Sequence, residues 1–347
     1  MLRVALFGSG RIGQVHARSI AAHPDAELAW ICDPVQPAAE ALAARHGGRV
    51  TAEPDEVFAD PALDAVVIAS PTPTHVDLLG RAAAAGKPVL CEKPIDLDLA
   101  RIDRCWDDIA ALQPFVMMGF NRRFDPTFTQ LRQRVAAGEI GTFRALRITS
   151  RDPEPPPTAY LAASGGIFRD MTIHDFDLAR FFLGEVTEVH AFASDDGNPV
   201  IAEARDAHQA MVLLRGANGA LCTITNSRSC TFGYDQRVEA FGDNGMLEAA
   251  NQSASSVRAY GTRGAETADP YLRFFVERYR EAYLAEFDEF VRAVRENRPP
   301  SPDFADGRAA LVLAEAALES VSTGRSVTVP AGPRPETEAP LANGAAR

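Results

Sequence analysis

Gly8-Ser9-Gly10-Arg11-Ile12-Gly13 follows an apolar run, Leu2–Phe7, and precedes a helical pattern. Glycines at these spacings permit a tight turn, a close backbone approach to a pyrophosphate and close helix–sheet contact. Arg11 and Ile12 open a helix whose unpaired N–H groups can face phosphate. Past Gly13 a second apolar run ends at Asp33, where a carboxylate can hold the hydroxyls of a ribose. Pro34 follows, and no basic neighbour offers a partner to a 2′-phosphate, so the pattern predicts NAD in preference to NADP. Further along, Asp170 and His174 are spaced to share one face of a helix. A carboxylate beside an imidazole fixes its tautomer and stabilises its protonated form, and an ordinary histidine, with a pKa of about 6.5, suits proton transfer at neutral pH. Asp175 and Asp177, just beyond, read as acids that favour a helix N-terminus.

Two more segments fall where strands are expected to end. In Cys91-Glu92-Lys93-Pro94, Glu92 and Lys93 are an ion-pair candidate on a restrained backbone. In Ala69-Ser70-Pro71-Thr72-Pro73-Thr74-His75, Ser70, Thr72 and His75 can line the nicotinamide side of a cofactor, while Thr74 can instead cap the following helix. Open α/β sheets bind their ligands at the carboxyl ends of strands, which is where both segments belong.

The elements that must hold these residues are readable from periodicity. Through residue 121, apolar runs at Leu2–Phe7, Leu28–Cys32, Ala65–Ala69 and Val89–Cys91 alternate with helical patterns at Ile12–His23, Gln36–His46, Thr74–Ala85 and Asp98–Leu112. Continuous apolar strands between helices predict a doubly wound α/β domain with a parallel sheet covered on both faces. From 122 to 329 the pattern turns to period two, at Phe143–Ser150, Ala207–Leu214, Ala220–Asn226 and Arg237–Phe241, with Asn/Gly turns. It predicts an α+β domain with an open, largely antiparallel sheet for substrate binding and association. Amphipathic helices follow near Phe275–Glu296 and Phe304–Ser322, and they can pack back on the first domain. Residues 330–347, rich in Pro, Ala and Glu, are expected to be a disordered tail.

Composition narrows the function. A net charge of −12 repels polyanions, so nucleic acid is excluded as a partner. No stretch is apolar for long enough to span a membrane. Five scattered cysteines with no C-x-x-C pair argue against disulfides and structural zinc, and fit a cytoplasmic protein with reduced thiols. The Cys and His distribution furnishes no catalytic zinc set, so no metal is expected.

In their order along residues 1–330, the G-x-G-x-x-G, Glu-Lys-Pro and Asp-Met-Thr-Ile-His-Asp-Phe-Asp motifs resemble the Gfo/Idh/MocA family of oxidoreductases, above all its members that oxidise inositols. The resemblance implies NAD as cofactor and oxidation of a secondary hydroxyl of myo-inositol, or a stereoisomer, to the ketone. Lys93, Asp170 and His174 would be catalytic: His174 as base, Asp170 orienting it, Lys93 beside the nicotinamide and the reacting carbon. Arg122 in Asn121-Arg122-Arg123, Asp152 ahead of a proline-rich stretch, Tyr234 and Tyr283 would bind the polyol. Read without the resemblance, the arginines are equally a solvated pair, the stretch a connector and the tyrosines core residues. A hexose dehydrogenase, or less closely an NAD-assisted glycoside hydrolase, shares the same framework. The open sheet is expected to make the protein a homo-oligomer, a tetramer or dimer.

Overall fold

Apolar strands and helices alternate along the first part of the chain, as the sequence pattern predicts. The computed structural model describes residues 1–330 apart from Arg263 and the side chain of Ala162, so the expected tail, beyond Pro330, lies outside the described residues. The chain folds into two units, residues 1–124 with 281–311, and residues 125–280 with the chain from 312 onward.

In the first unit, β1 (Leu2–Phe7), β2 (Ala26–Cys32), β3 (Arg49–Thr51), β4 (Ala65–Ile68), β5 (Val89–Glu92) and β6 (Val116–Gly119) form a six-stranded sheet in the order β3-β2-β1-β4-β5-β6. Every pairing is parallel. The order reverses between β1 and β4, and the strand ends there are Phe7 and Ile68, just before the glycine run and the Ser70 segment. Helices α1 (Arg11–Ala22), α2 (Gln36–His46), α3 (Pro54–Phe58), α4 (His75–Ala84) and α5 (Leu99–Ile109) connect the strands. Val4, Leu6, Val67, Leu90 and Met117 are fully buried in the core, as expected for strands covered on both faces.

The second unit begins with α6 (Pro126–Ala136), capped by Asp125, whose side chain accepts from the amides of Thr127 and Phe128. Its sheet contains β7 (Phe143–Arg151), β8 (Val186–Ser194), β9 (Gln209–Gly216), β10 (Leu221–Ser227), β11 (Asp235–Gly242) and β12 (Gly245–Ala249). With a short strand near the end of the described chain, the order is β12-β11-β7-β10-β9-β8 and then that strand, seven in all. Only β7 and β10 pair in parallel; the rest of the ladder is antiparallel. Burial alternates residue by residue along β9, so one face of the sheet is covered. Helix α8 (Ile173–Leu183) packs on this sheet at β7, with α7 (Thr158–Ala163) and α9 (Pro199–Glu203) against each other nearby in the chain, and the outer face carries Phe192, Met211, Leu213, Leu221, Phe241 and Met246. A separate hairpin, β13 (Arg258–Gly261) and β14 (Gly264–Ala268), is exposed along its length.

The continuous helix expected over Phe275–Glu296 is instead two, α10 (Phe275–Arg278) and α11 (Arg280–Glu296). The break falls at Tyr279, which is buried and donates its hydroxyl to Gln236 Oε1 at 3.0 Å. Phe287, Phe290 and Val291 of α11 join the first unit's core. In α12 (Phe304–Thr323), Gly307 leaves room for Ile95, whose Cδ1 lies 2.8 Å from where a Cβ would be. The closing strand β15 (Val327–Thr328) pairs antiparallel with β8. Among the described residues no helix is long and apolar enough to cross a membrane.

Candidate active site

In the first unit the candidate residues gather around the glycine run. Gly8 has φ +101°, and a Cβ on it would lie 2.6 Å from the carbonyl oxygen of Ala69, at the end of the neighbouring strand. A Cβ on Gly13 would lie 2.0 Å from the Gly8 oxygen, so strand and helix approach as only glycine allows. Gly10 is different, since nothing lies within 4 Å of its Cβ position. Space is therefore open at the N-terminus of α1, a helix with no side-chain cap and no acid in its first turn. That combination of free approach and uncapped amides fits a pyrophosphate. Ile12 packs against the core, so its contribution there is its backbone.

Asp33 stands at the end of β2, next to this loop. Its Oδ2 accepts from the Ser9 amide at 2.6 Å and its Oδ1 from the Val35 amide at 2.7 Å. The carboxylate is thereby fixed to the loop, and each oxygen keeps lone-pair capacity for a ribose hydroxyl. Across the switch point, Thr74 is not a helix cap: its hydroxyl donates to the Pro71 carbonyl at 2.7 Å and bonds the Ser70 hydroxyl at 2.6 Å. The proline-rich segment folds back on itself here, as a single 3₁₀ turn beginning at Thr72, and competes for that oxygen. His75 is buried between two carbonyls, with Nδ1 2.8 Å from Pro94 O and Nε2 2.8 Å from Ser70 O. It ties the Ser70 segment to the turn after Lys93, and burial pushes its imidazole below the usual range.

Lys93 follows the last residue of β5 and is half-buried. Its amide donates to Glu92 Oε2 at 3.2 Å, while Glu92 Oε1 lies 2.8 Å from His16 Nε2. Arg122 and Arg123 are buried, not a solvated pair, and Arg123 meets Asp306 at 3.2 Å. They sit on a 3₁₀ turn, Asn121–Phe124, that leaves the sheet directly after β6 and turns both side chains inward. Tyr283 of α11 is also buried, its ring edge-on to His16 at 5.8 Å.

The second unit holds the acid–base candidates. Gly165 and Gly166 both have positive φ, and a Cβ on Gly166 would come within 3.0 Å of Asp206 Oδ1. After this turn the chain runs through one π-helical turn, Phe168–Thr172, before α8 begins. Asp170 and His174 therefore lie on either side of a change in helical pitch, and the regular spacing expected from the sequence does not hold across it. Asp170 Oδ1 accepts from the Tyr160 hydroxyl at 2.8 Å, and Oδ2 lies 3.5 Å from Arg228 Nη1. Burial and the Asp170 charge raise the Tyr160 phenol, which keeps it a donor. Arg228 is fully buried, and its other nitrogen donates to Asp206 Oδ2 at 2.8 Å. Asp206 is anchored in turn by the amides of Ile167, at 2.7 Å, and Ala207, at 2.8 Å.

Asp175 and Asp177 are buried, so they are not surface acids of a helix end. Asn226 of β10 explains Asp175: its amide donates to Asp175 Oδ2 at 2.8 Å while its oxygen accepts from the Thr172 hydroxyl at 2.7 Å. The start of α8 is bolted to the sheet by that one side chain. Asp152 follows β7, its amide bonded to the Ser227 carbonyl at 2.9 Å. Tyr234 is buried, with Phe274 and Tyr279 edge-on at 6.4 and 6.0 Å. Sequence reasoning passed over Tyr160, Asp206 and Arg228. The available signal was Arg228 itself, a charged residue just after a strand of alternating pattern.

Residues 2–120 match the model of an oxidoreductase family with an NAD-binding Rossmann fold, and residues 128–248 match the GFO/IDH/MocA C-terminal domain. An inositol 2-dehydrogenase of Rhizobium meliloti is 44% identical over 330 residues, spanning 94% of this chain and 99% of the relative. A myo-inositol 2-dehydrogenase of Thermotoga maritima is 42% identical over 328 residues, spanning 94% and 98%. The crystal structure of a myo-inositol dehydrogenase from Corynebacterium glutamicum superposes with a TM-score of 0.93 at 52% identity, covering 96% of this chain and 100% of that one. With this breadth of match, and with a glycine cradle and Asp33 that fit a dinucleotide, the chain belongs to the Gfo/Idh/MocA family of NAD-dependent oxidoreductases.

Proposed function

We propose that this chain oxidises one secondary hydroxyl of myo-inositol, or of a close stereoisomer, to the ketone. NAD, when bound, accepts the hydrogen that leaves the carbon with its electron pair. Asp33 and the N-terminus of α1 hold the cofactor. Arg122, Asp152, Tyr234 and Tyr283 hold the ring hydroxyls. His174 takes the hydroxyl proton, Asp170 steadies the imidazole and its developing charge, and the Lys93 ammonium donates to the substrate oxygen as negative charge grows there.

The observation that carries this reading is the fixed carboxylate of Asp170, held by Tyr160 and Arg228 at the entry to the helix that bears His174. A carboxylate so supported keeps its position, which is what an orienting partner for a histidine base needs. The substrate class is supported by the inositol dehydrogenases among the relatives. His174→Ala should lower kcat by about 10²–10⁴-fold, the range for a positioned acid–base group, with folding and NAD affinity little changed. Near-normal turnover in a folded, NAD-binding variant would remove His174 as the base.

The outer face of the second sheet supports a homo-oligomer. Met246 pairs with Phe241, Phe241 with Ala145, and Ala145 with Leu221, an apolar row across four neighbouring strands. Arg215 and Glu188 extend the row as an ion pair at 3.0 Å. A second copy related by a two-fold axis would cover this patch with the same surface. The five cysteines are all buried and unpaired, which fits a reducing cytosol.

A further inference from the structure

Inside the first unit, close to the turn that carries Lys93, lies a carboxyl group that neither cofactor nor substrate binding accounts for. Glu286 of α11 is fully buried, and neither of its oxygens has a hydrogen-bond partner among the described residues. Its neighbours on the helix, Phe287 and Phe290, belong to the apolar core. The charged group acting on it is Glu92 of β5. Glu92 is in turn held on both oxygens, by the His16 ring at 2.8 Å and the Lys93 amide at 3.2 Å. His16 of α1 is fully buried, and among the described residues its Nδ1 has no partner, so Glu92 is the group that holds the ring. Tyr283, three residues before Glu286, meets the same ring edge-on.

Strand β6 makes room for this arrangement. Gly119 ends it, and a Cβ there would lie 3.0 Å from Glu92 Cδ and 3.1 Å from Oε2. The φ of Gly119 is not positive, so what a side chain there would meet is crowding against Glu92, at its Cα as well as its carboxylate. Any larger residue would press on the oxygen that accepts from Lys93.

We propose that Glu286 holds a proton inside the first unit and, through Glu92, acts as a positioning residue for Lys93. The positioning part rests on the role given to Lys93 above. A buried carboxyl with no donor and a carboxylate nearby is stable only as the neutral acid. In that form the pair carries a single negative charge, on Glu92, which clamps the Lys93 amide and the His16 ring. Were Glu286 ionised, two carboxylates would repel in a dry interior and the clamp on Lys93 would loosen. Burial, with the Glu92 charge second, pushes the Glu286 carboxyl well above the usual 4.5. The sign for stability follows: above that usual value the folded chain retains a proton that the unfolded chain releases. Stability from this group is therefore complete in acid and declines as pH rises toward the folded pKa.

Thermal unfolding of the full chain, without cofactor, from pH 5 to 8 compares the wild type with Glu286→Gln, which mimics the neutral acid permanently. The melting temperature of the variant should gain on the wild type steadily as pH rises; parallel curves would overturn the buried proton. Turnover on myo-inositol then tests the positioning. The ratio of kcat in Glu286→Gln to kcat in the wild type should rise with pH, and a ratio that does not change would overturn the positioning role of Glu286; Gly119→Ala, which crowds Glu92, should lower kcat by about tenfold or more while NAD affinity by titration stays unchanged. A folded Gly119→Ala variant with normal kcat would overturn the positioning claim. If Lys93→Ala turned over normally, the role of Lys93 would fall and the positioning claim with it, while the melting curves would still decide the proton.

Discussion

Asp33 separates two effects that a single substitution would otherwise mix. Its carboxylate accepts from the Ser9 amide at 2.6 Å and the Val35 amide at 2.7 Å, and in the proposed function it also accepts from the ribose of NAD. Replacing it with Ala removes both functions at once. Loss of the amide bonds loosens the glycine loop, and that penalty falls equally on NAD and NADP. Loss of the ribose contact falls on NAD alone, and a hydrogen bond to a charged group contributes about 1.5–3 kcal/mol, or roughly 10- to 150-fold in kcat/KM. For NADP the same change removes repulsion between a carboxylate and the 2′-phosphate. The common term cancels in the ratio of the two kcat/KM values, so that ratio should fall by at least about tenfold. Asp33→Asn, which retains one acceptor oxygen, should lower the ratio with less loss of stability. Steady-state rates over a range of each cofactor give the ratio for the three proteins. A wild-type preference for NADP, or an unchanged ratio in Asp33→Ala, would refute the reasoning.

Other outcomes follow from the second unit. Arg228→Met leaves Asp206 buried without its cation, a loss of about 3–5 kcal/mol for a broken buried pair. At roughly 2–4 °C per kcal/mol for a unit of this size, calorimetry should show a melting temperature lower by about 6–20 °C, and kcat should fall as Asp170 loses a support. Asp170→Asn combined with His174→Ala should be little slower than His174→Ala alone, the outcome expected of two residues proposed to serve one proton transfer; additive losses in kcat would separate them. Leu213→Lys, on the exposed sheet face, should shift the protein to smaller species in sedimentation without altering its circular dichroism.

Local signals carried most of the first unit. The glycine run, Asp33 and the apolar strands each declare themselves within a few residues, because a parallel sheet buried on both faces needs continuous apolar sequence. The second sheet was readable as largely antiparallel, but its parallel pair, β7 with β10, joins segments 70 residues apart and leaves no local mark. Asp170 and His174 were visible as residue types, whereas the π turn between them was not, since it depends on Asp206 and Asn226 arriving from elsewhere in the unit. Asp175 and Asp177 misled for the same reason: an acid in a first turn is ordinarily solvated, and the amide of Asn226 that reaches Asp175 comes from β10, far along the chain. Glu286 falls in an amphipathic helix where one more acid looks like a solvated face. Its burial becomes evident only when Phe287 and Phe290 are seen to enter the core beside it.

The central claim, oxidation of an inositol hydroxyl with NAD, is tested most directly by NADH production across a panel of inositol isomers and hexoses at fixed NAD. The highest kcat/KM is expected on myo-inositol or a close stereoisomer, with one NADH released per ketone formed. A clear preference for a hexose would contradict it, as would product formation without release of NADH.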